Sequence, residues 1–253
     1  KQSIFFLFVI GISVTCYLYS IDIFEEFKNR VQNQYIDPFN KDLTGLICSN
    51  PLNTAESLGL FKAVPSSIGL DIGLSVVLKN ISSDNIILKQ AFENQSFKYI
   101  PFSSLYLIKG LPFNIDLIVR FFGYSDVTFY GVGLKYKFLS FPPVIPVVNC
   151  TLSVLYNKLD VKQILTHSSY SANFIVSIDK LPFIKPYILL GVDNSELTLD
   201  ENLGIGKIRS KFNNGMRYEV GLKLSFIPFV YFNLGYSNIY QVDGYFLNLG
   251  AKF

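Results

Sequence analysis

Tyr218-Glu219-Val220-Gly221-Leu222-Lys223-Leu224-Ser225-Phe226 alternates without exception between apolar residues and polar or small ones. Period two is the period of a β-strand, whose successive side chains leave on opposite faces. Tyr218, Val220, Leu222, Leu224 and Phe226 therefore share one face, and Glu219, Gly221, Lys223 and Ser225 the other. The same division recurs with Leu70, Ile72, Leu74, Val76 and Leu78 against Asp71, Gly73, Ser75 and Lys79. It returns with Ile115, Leu117, Val119 and Phe121 against Asn114, Asp116 and Arg120, and with Val230, Phe232, Leu234 and Tyr236 against Tyr231, Asn233, Gly235 and Ser237. A soluble sandwich alternates in the same way, so the choice falls to the faces opposite the apolar ones. Those carry glycine and isolated charges, the pattern of a polar barrel interior whose apolar face meets lipid. Asp71, Asp116, Arg120, Lys135, Glu219 and Lys223 are thus expected to line a lumen.

Composition narrows the classes further. Of 253 residues, 50% are hydrophobic and 16% charged, which is too apolar for a disordered chain and enough for one large domain. The net charge is +3 with 22 Lys and Arg dispersed along the chain, so no basic face points to nucleic acid as a partner. Mean hydropathy of +0.34 suits a membrane protein. Beyond the N-terminus, however, no stretch approaches the ~20 consecutive apolar residues of a spanning helix. A closed β-barrel is then the membrane structure that remains, because lipid offers backbone groups no hydrogen-bond partner and an open sheet would leave an unpaired edge.

Proline marks the topology. Leu111-Pro112-Phe113, Phe141-Pro142-Pro143, Leu181-Pro182-Phe183 and Ile227-Pro228-Phe229 each separate two alternating runs and read as short turns at one end of the barrel. Ten strands follow, over 67–79, 97–109, 113–122, 127–139, 146–157, 168–179, 184–199, 215–226, 229–238 and 244–253. Pro101 interrupts the second. The outward loops are expected at 80–96, 123–126, 158–167, 201–214 and 239–243.

The chain before the barrel reads in two parts. Residues 1–20 combine a basic start with the apolar run Ile4 to Ile12, the length of a signal-peptide core, and are expected to direct export. Ser13-Val14-Thr15-Cys16 resembles a lipoprotein processing box, with Thr15 where a smaller residue belongs; the other reading is ordinary cleavage near Ser20. Residues 21–66 are expected to form a plug. In it Ile23, Phe27 and Val31 predict a short amphipathic helix over Ile21 to Tyr35, and Pro38, Gly45, Pro51 and Gly59 predict irregular backbone after it. The domains are thus a signal peptide (1–20), a plug segment (21–66) and an outer-membrane barrel (67–253).

Chemistry-bearing motifs are sparse. Cys16, Cys48 and Cys150 form no CxxC pair, and the single His167 cannot supply clustered imidazoles, so neither a metal nor a cofactor is expected. His167-Ser168-Ser169, placed at an outer rim, is the one stretch with nucleophile and base together, but neighbours in sequence are not a triad and no catalytic residue is assigned. Leu203-Gly204-Ile205-Gly206-Lys207 resembles a phosphate loop yet lacks its first glycine and a following Ser or Thr. Gly131 and Gly133 fall inside a strand, where small residues let a plug or curved wall approach closely.

The last stretch, Gly244-Tyr245-Phe246-Leu247-Asn248-Leu249-Gly250-Ala251-Lys252-Phe253, sets Tyr245, Leu247, Leu249 and Ala251 on one face with the terminal ring of Phe253. It resembles the C-terminal signature by which the outer-membrane assembly machinery recognises barrels, which makes Tyr245, Leu247, Leu249 and Phe253 the expected assembly signal. Tyr35-Ile36-Asp37-Pro38 with Leu70-Asp71-Ile72-Gly73, the block Tyr130-Gly131-Val132-Gly133-Leu134-Lys135, and Asn214-Gly215-Met216-Arg217-Tyr218-Glu219-Val220-Gly221-Leu222 together resemble a small family of bacterial outer-membrane barrels of uncharacterised function. That family is distantly similar to the long-chain fatty-acid transporter (FadL-like) barrels, and the resemblance runs from about Tyr35 to Phe253. It implies an all-β transmembrane barrel and supplies no agreed substrate; the leading expectation for this chain is a narrow porin or transporter for a small or lipophilic solute, with outer-membrane lipid and the barrel-assembly machinery as partners. The alternative is a non-transporting surface barrel, an adhesin or structural protein acting through its outer loops.

Overall fold

In the computed structural model, which describes residues 33–49, 54–59, 68–82, 84–85, 99–140, 148–179, 183–200, 208–227 and 229–253, ten antiparallel strands close into a barrel. They are β1 (Leu70–Asn80), β2 (Tyr99–Gly110), β3 (Ile115–Tyr124), β4 (Val127–Ser140), β5 (Val148–Val161), β6 (Leu165–Ile178), β7 (Ile184–Leu199), β8 (Arg209–Ile227), β9 (Val230–Ile239) and β10 (Val242–Lys252). Each pairs with its neighbours in sequence, and β10 returns to β1 in the register Leu74↔Leu249, Val76↔Leu247 and Leu78↔Tyr245. Leu70 N donates to Phe253 O at 3.0 Å and Phe253 N donates back to Leu70 O at 2.7 Å, so the seam is bonded to its last residue. Closure gives every strand a partner on both sides, β2 on its β3 side from Leu105 onward, which is what an all-antiparallel sheet gains by curling on itself.

Both barrel termini, the turn over 111–114 and the strand ends on either side of 141–147, 180–182 and 228 lie at one end, called here the terminal end. Two hairpins at the opposite, far end are tight. Tyr124↔Val127 and Ile239↔Val242 each enclose two residues. Tyr240 and Gln241 both have positive φ, 56° and 68°, the mirror-image turn that matches strand twist at the expense of non-glycine strain. Pro101 sits within β2 opposite Leu78, but pairing of β2 with β3 begins only at Leu105. The proline's missing N–H therefore costs no ladder bond on that side.

Inner and outer faces alternate as the sequence pattern requires. Val132, Leu134, Val154, Ile188, Leu190, Val220 and Leu247 are exposed on the outer wall, while Asp71, Ser75, Ser153, Asn173, Glu219, Asn233 and Asn248 are buried on the inner one. Toward the far end this polarity inverts. Phe129, Leu159, Val161, Leu165, Leu197 and Leu199 point inward and are buried, while Lys158, Asp160, Thr166, Glu196 and Thr198 take the outer positions.

One helix, α1 (Asn33–Cys48), lies inside the barrel with Pro38 within it. Its Ile36, Phe39, Leu43, Leu46 and Ile47 join the inward apolar residues of the far end in a single cluster. The sequence expectation of irregular backbone after Tyr35 is thereby corrected: residues 36–48 are helical. The cause is burial of polar and apolar residues alike: every residue from Asp42 to Ser49 is buried, Thr44 and Ser49 as fully as Ile47, so beyond its first turns the segment has no solvent face to give it the usual two-sided pattern. The segments expected as signal peptide (1–20) and as the earlier helix (21–32) lie outside the described residues, as does the glycine-bearing stretch 201–207. The loops expected over 158–167 and 201–214 are also shorter. β5 continues to Val161 and β6 starts at Leu165, because the inverted polarity near the far end hides the strand pattern, and β8 starts at Arg209.

Candidate functional site in the lumen

The lumen is filled by α1 and, beneath it, by residues 54–59, and the wall meets this filling in three tiers. In the far tier the polar side of α1 is stitched to β6, β7 and β8. Ser210 Oγ donates to Asp37 Oδ1 at 2.6 Å, Asn40 Nδ2 donates to Ser210 Oγ at 3.1 Å, and Thr44 Oγ1 lies 2.7 Å from Ser195 Oγ and 3.0 Å from His167 Nε2. His167 is therefore a buried residue of the inner wall, and its expected place at an outer rim is corrected: β6 extends past it, and its parity in the strand turns it inward. Asp42 accepts from Asn85 Nδ2 at 2.7 Å and from Ser82 N at 3.3 Å, tying α1 to the segment after β1. Burial pushes the Asp42 carboxyl up to about 7 against these hydrogen bonds.

The middle tier holds two buried arginines at the C-terminal end of α1. Helix ends leave four backbone carbonyls without intrahelical partners, and the dipole makes that end negative. Arg120 Nη1 donates to Ile47 O at 2.7 Å and Arg120 Nη2 to Ser49 O at 3.4 Å, and Arg217 Nη1 donates to Cys48 O. The Arg217 guanidinium also lies 3.4 Å from Asp193 and 3.8 Å from Glu219. Each arginine faces a glycine across the ladder, in the pairs Arg120↔Gly131 and Gly191↔Arg217. A Cβ on Gly191 would stand 3.1 Å from Arg217 Nε, and one on Gly131 would stand 3.3 Å from the Arg120 stem, so the glycines make the room in which the guanidinium groups lie flat. Cys48 packs its thiol 3.3 Å from Ser169 Oγ, and burial pushes that thiol up to about 12, which keeps it protonated.

The terminal tier is richest in charge. Asp116 pairs with Lys135 at 3.1 Å and accepts from Ser57 Oγ and Leu58 N, both at 3.0 Å. Lys135 Nζ donates to Glu56 O at 2.8 Å. The Glu56 carboxylate meets Lys252 at 3.0 Å and Lys185 at 3.2 Å through the same oxygen. Asp71 accepts from the Tyr231 hydroxyl at 2.7 Å, Tyr106 and Tyr231 share a 2.7 Å hydroxyl contact, and the Lys223 ammonium sits 3.5 Å above the Tyr231 ring. A ring face attracts a cation. A cavity of about 10 Å³, the size of one water, remains among Glu56, Asp71, Lys135, Lys223 and Lys252.

The six charged residues singled out from the sequence are all buried on the inner wall. Asp116 and Lys135 pair with each other, whereas Arg120 binds carbonyls and Asp71 a phenol. Sequence reasoning passed over Asp193, Arg217 and Lys252, although strand parity alone places them inward, and Arg217 stands in a motif block already singled out. Glu56 carried no signal, because its partners are 129 and 196 residues away. Of the terminal residues, Tyr245, Leu247 and Phe253 are exposed and Leu249 is half-buried on the outer face. Among the described residues no group of His, Cys, Asp and Glu could hold a metal ion.

Three solved barrels are similar in outline. Neisserial surface protein A (NspA) is 17% identical over 73% of this chain and 97% of its own, with a TM-score of 0.31. Ail, the attachment invasion locus protein of Yersinia pestis, is 13% identical over 72% of this chain and 94% of its own, at 0.30. LpxR from Salmonella typhimurium is 10% identical over 72% of this chain and 100% of its own, at 0.36. No curated protein matches the sequence significantly. A family model does match: it spans residues 53–242, taking in the Glu56 segment, both arginines and every strand from β1 to β9, and the chain belongs to that family, described as a family of unknown function (DUF6588).

Proposed function

We propose that the chain is an integral outer-membrane β-barrel that passes a small or lipophilic solute when the segment within its lumen moves aside. The observation that carries this reading is that a separate stretch of chain, α1 with residues 54–59, fills the lumen and rests on polar and ionic contacts with the wall. The polar and charged groups on both sides of this interface regain water when they part, which offsets part of the cost of drawing the apolar side of α1 out of its cluster with the far end of the wall. At the far end the inward Leu159, Leu165, Leu197 and Leu199 would line an apolar passage once α1 left, which suits a lipophilic solute.

The outer face supports the membrane location. Tyr99, Tyr245, Tyr236 and Tyr218 follow one another at ring distances of 6.1, 6.0 and 6.2 Å, and Tyr130, Tyr156 and Tyr170 at 6.5 and 4.9 Å, all toward the far end. Phe138 and Phe174, 6.3 Å apart, together with exposed Phe113, Phe183, Phe229 and Phe253, mark the terminal end. Aromatic girdles on either side of an aliphatic band are the mark of a bilayer-spanning barrel. The 11 residues of β10 rise about 36 Å along the strand and about 28 Å across a bilayer at a 40° tilt. In this reading the terminal end is periplasmic, and Tyr245, Leu247, Leu249 and Phe253 face lipid after presenting the last strand to the assembly machinery.

The test is conductance in a planar bilayer, on protein first shown to insert by its heat-dependent gel mobility and by fractionation with the outer membrane. The intact chain is expected to conduct little, and a variant lacking residues 33–59 much more. If both are correctly inserted and silent, the transport reading gives way to a surface barrel acting through its outer loops.

A further inference from the structure

We infer that the lysine nest at the terminal mouth of the lumen is a binding site for the carboxylate group of a small solute, and that Glu56 occupies it as a tethered stand-in. Lys185 and Lys252 converge on one oxygen of the Glu56 carboxylate, at 3.2 and 3.0 Å. Lys223 lines the adjoining cavity, its Nζ buried above the Tyr231 ring and within reach of the charges of Asp71 and Glu56. Lys135 closes the back of the nest through Asp116 and the Glu56 carbonyl. Four ammonium groups thus face three carboxylates, Glu56, Asp71 and Asp116, and only two once Glu56 withdraws. Lysines gathered in that number around one cavity call for an anion, and the last two carboxylates are already engaged by Lys135 and the Tyr231 hydroxyl.

Access and reversibility are built into the same residues. The side chains of Glu56, Lys185 and Lys252 remain 20–26% exposed, so the nest opens to solvent at the terminal end. Glu56 belongs to a six-residue described stretch tied to the wall through Ala55 N to Ser177, Ser57 and Leu58 to Asp116, and Lys135 to Glu56 O, with Ala55 and Leu58 buried against it. A solute carboxylate that takes Lys185 and Lys252 removes the ionic anchor of this stretch. The inference deepens the transport reading by naming the class of solute that releases the plug, and it rests on that reading only for the step after binding.

The experiment is chemical rescue on the full chain folded in detergent micelles. Glu56→Ala removes a CH2–COO⁻ fragment, and acetate is that fragment. Acetate binding, followed by line broadening of ¹³C-labelled acetate, is expected to be saturable and at least tenfold tighter in Glu56→Ala than in the unaltered protein. Acetamide, of the same shape without charge, should not bind, and adding Lys252→Gln should weaken acetate at least tenfold. Gly110→Ala gives a second route that leaves every charge in place, because its Cβ would fall 2.1 Å from Gly59 O and push the Glu56 stretch off the wall. It too should raise acetate binding. The proposal is overturned if folded Glu56→Ala and Gly110→Ala bind acetate no better than the unaltered protein, or if Lys252→Gln leaves the gain intact. Failure of the transport reading is seen elsewhere, as silence in the bilayer, so the two are told apart.

Discussion

Arg120→Met should free the C-terminal end of α1 while leaving the barrel wall standing. Arg120 donates to Ile47 O at 2.7 Å and to Ser49 O at 3.4 Å, and its remaining acceptors, Asn157 Oδ1 at 3.2 Å and Ser104 Oγ at 3.4 Å, are neutral wall groups that can bond elsewhere. A hydrogen bond from a charged donor contributes about 1.5–3 kcal/mol, so the short contact is worth about 2–3 and the long one less than about 1. Methionine keeps the aliphatic stem but donates nothing and gives up the guanidinium that lies 5.0 Å over the Phe129 ring, and the two carbonyls are left without those donors. The expected loss is about 3 kcal/mol for holding the helix end, roughly a hundredfold in the opening equilibrium. Hydrogen exchange of the backbone amides of residues 43–48 in the micelle-bound protein reads this directly, since local opening sets their protection. Lys79→Met is the control. Lys79 is equally buried but donates to Ser237 O at 3.1 Å and Val242 O at 3.3 Å, which are wall carbonyls, so it should weaken the barrel without selectively exposing α1. Unchanged protection of α1 in Arg120→Met, or the same loss in Lys79→Met, would refute the latch.

Two further outcomes follow from the geometry. The Asp42 carboxyl, raised from 3.8 to about 7 by burial, contributes its full share to docking α1 only below pH 4 and loses it as pH rises toward 7, a difference of at most about 4 kcal/mol. Protection of α1 should accordingly be lower at pH 8 than at pH 5 after correction for intrinsic exchange, and Asp42→Asn should flatten that dependence; equal slopes in both proteins would exclude Asp42 as its source. Removing Phe253, or changing Leu249 to Asp, should abolish insertion, because the first deletes a backbone pair that seals the seam with Leu70 and the second sets a charge on the outer face at a cost of about 2 kcal/mol. Normal heat-dependent mobility of both variants would remove the assembly role of the last strand.

The strands were legible because alternation is a local property that survives wherever one face is apolar and the other is not. It failed at Lys158–His167 for a definable reason. Where β5 to β7 run past the exposed aliphatic band, the inner face becomes the apolar one, and a reader tracking an apolar outer face loses the strand. His167 was misplaced by the same inversion. Pro38 and Gly45 misled in another way, since in an isolated helix each is unfavourable, yet here the surrounding wall supplies contacts that local propensity does not count.

What the sequence determined by itself was the number of strands, their antiparallel order and the inward parity of Asp71, Asp116, Arg120, Lys135, Glu219 and Lys223, all of which follow from residues within a few positions of one another. What the tertiary structure alone decided was pairing. Arg217 reaches a carbonyl 169 positions earlier, and Glu56 meets a lysine 196 positions later. Parity says only that a charge faces the lumen. Which partner it finds depends on how far each strand is staggered around the closed sheet and on what chain is threaded through the middle, and neither quantity is encoded in any local period.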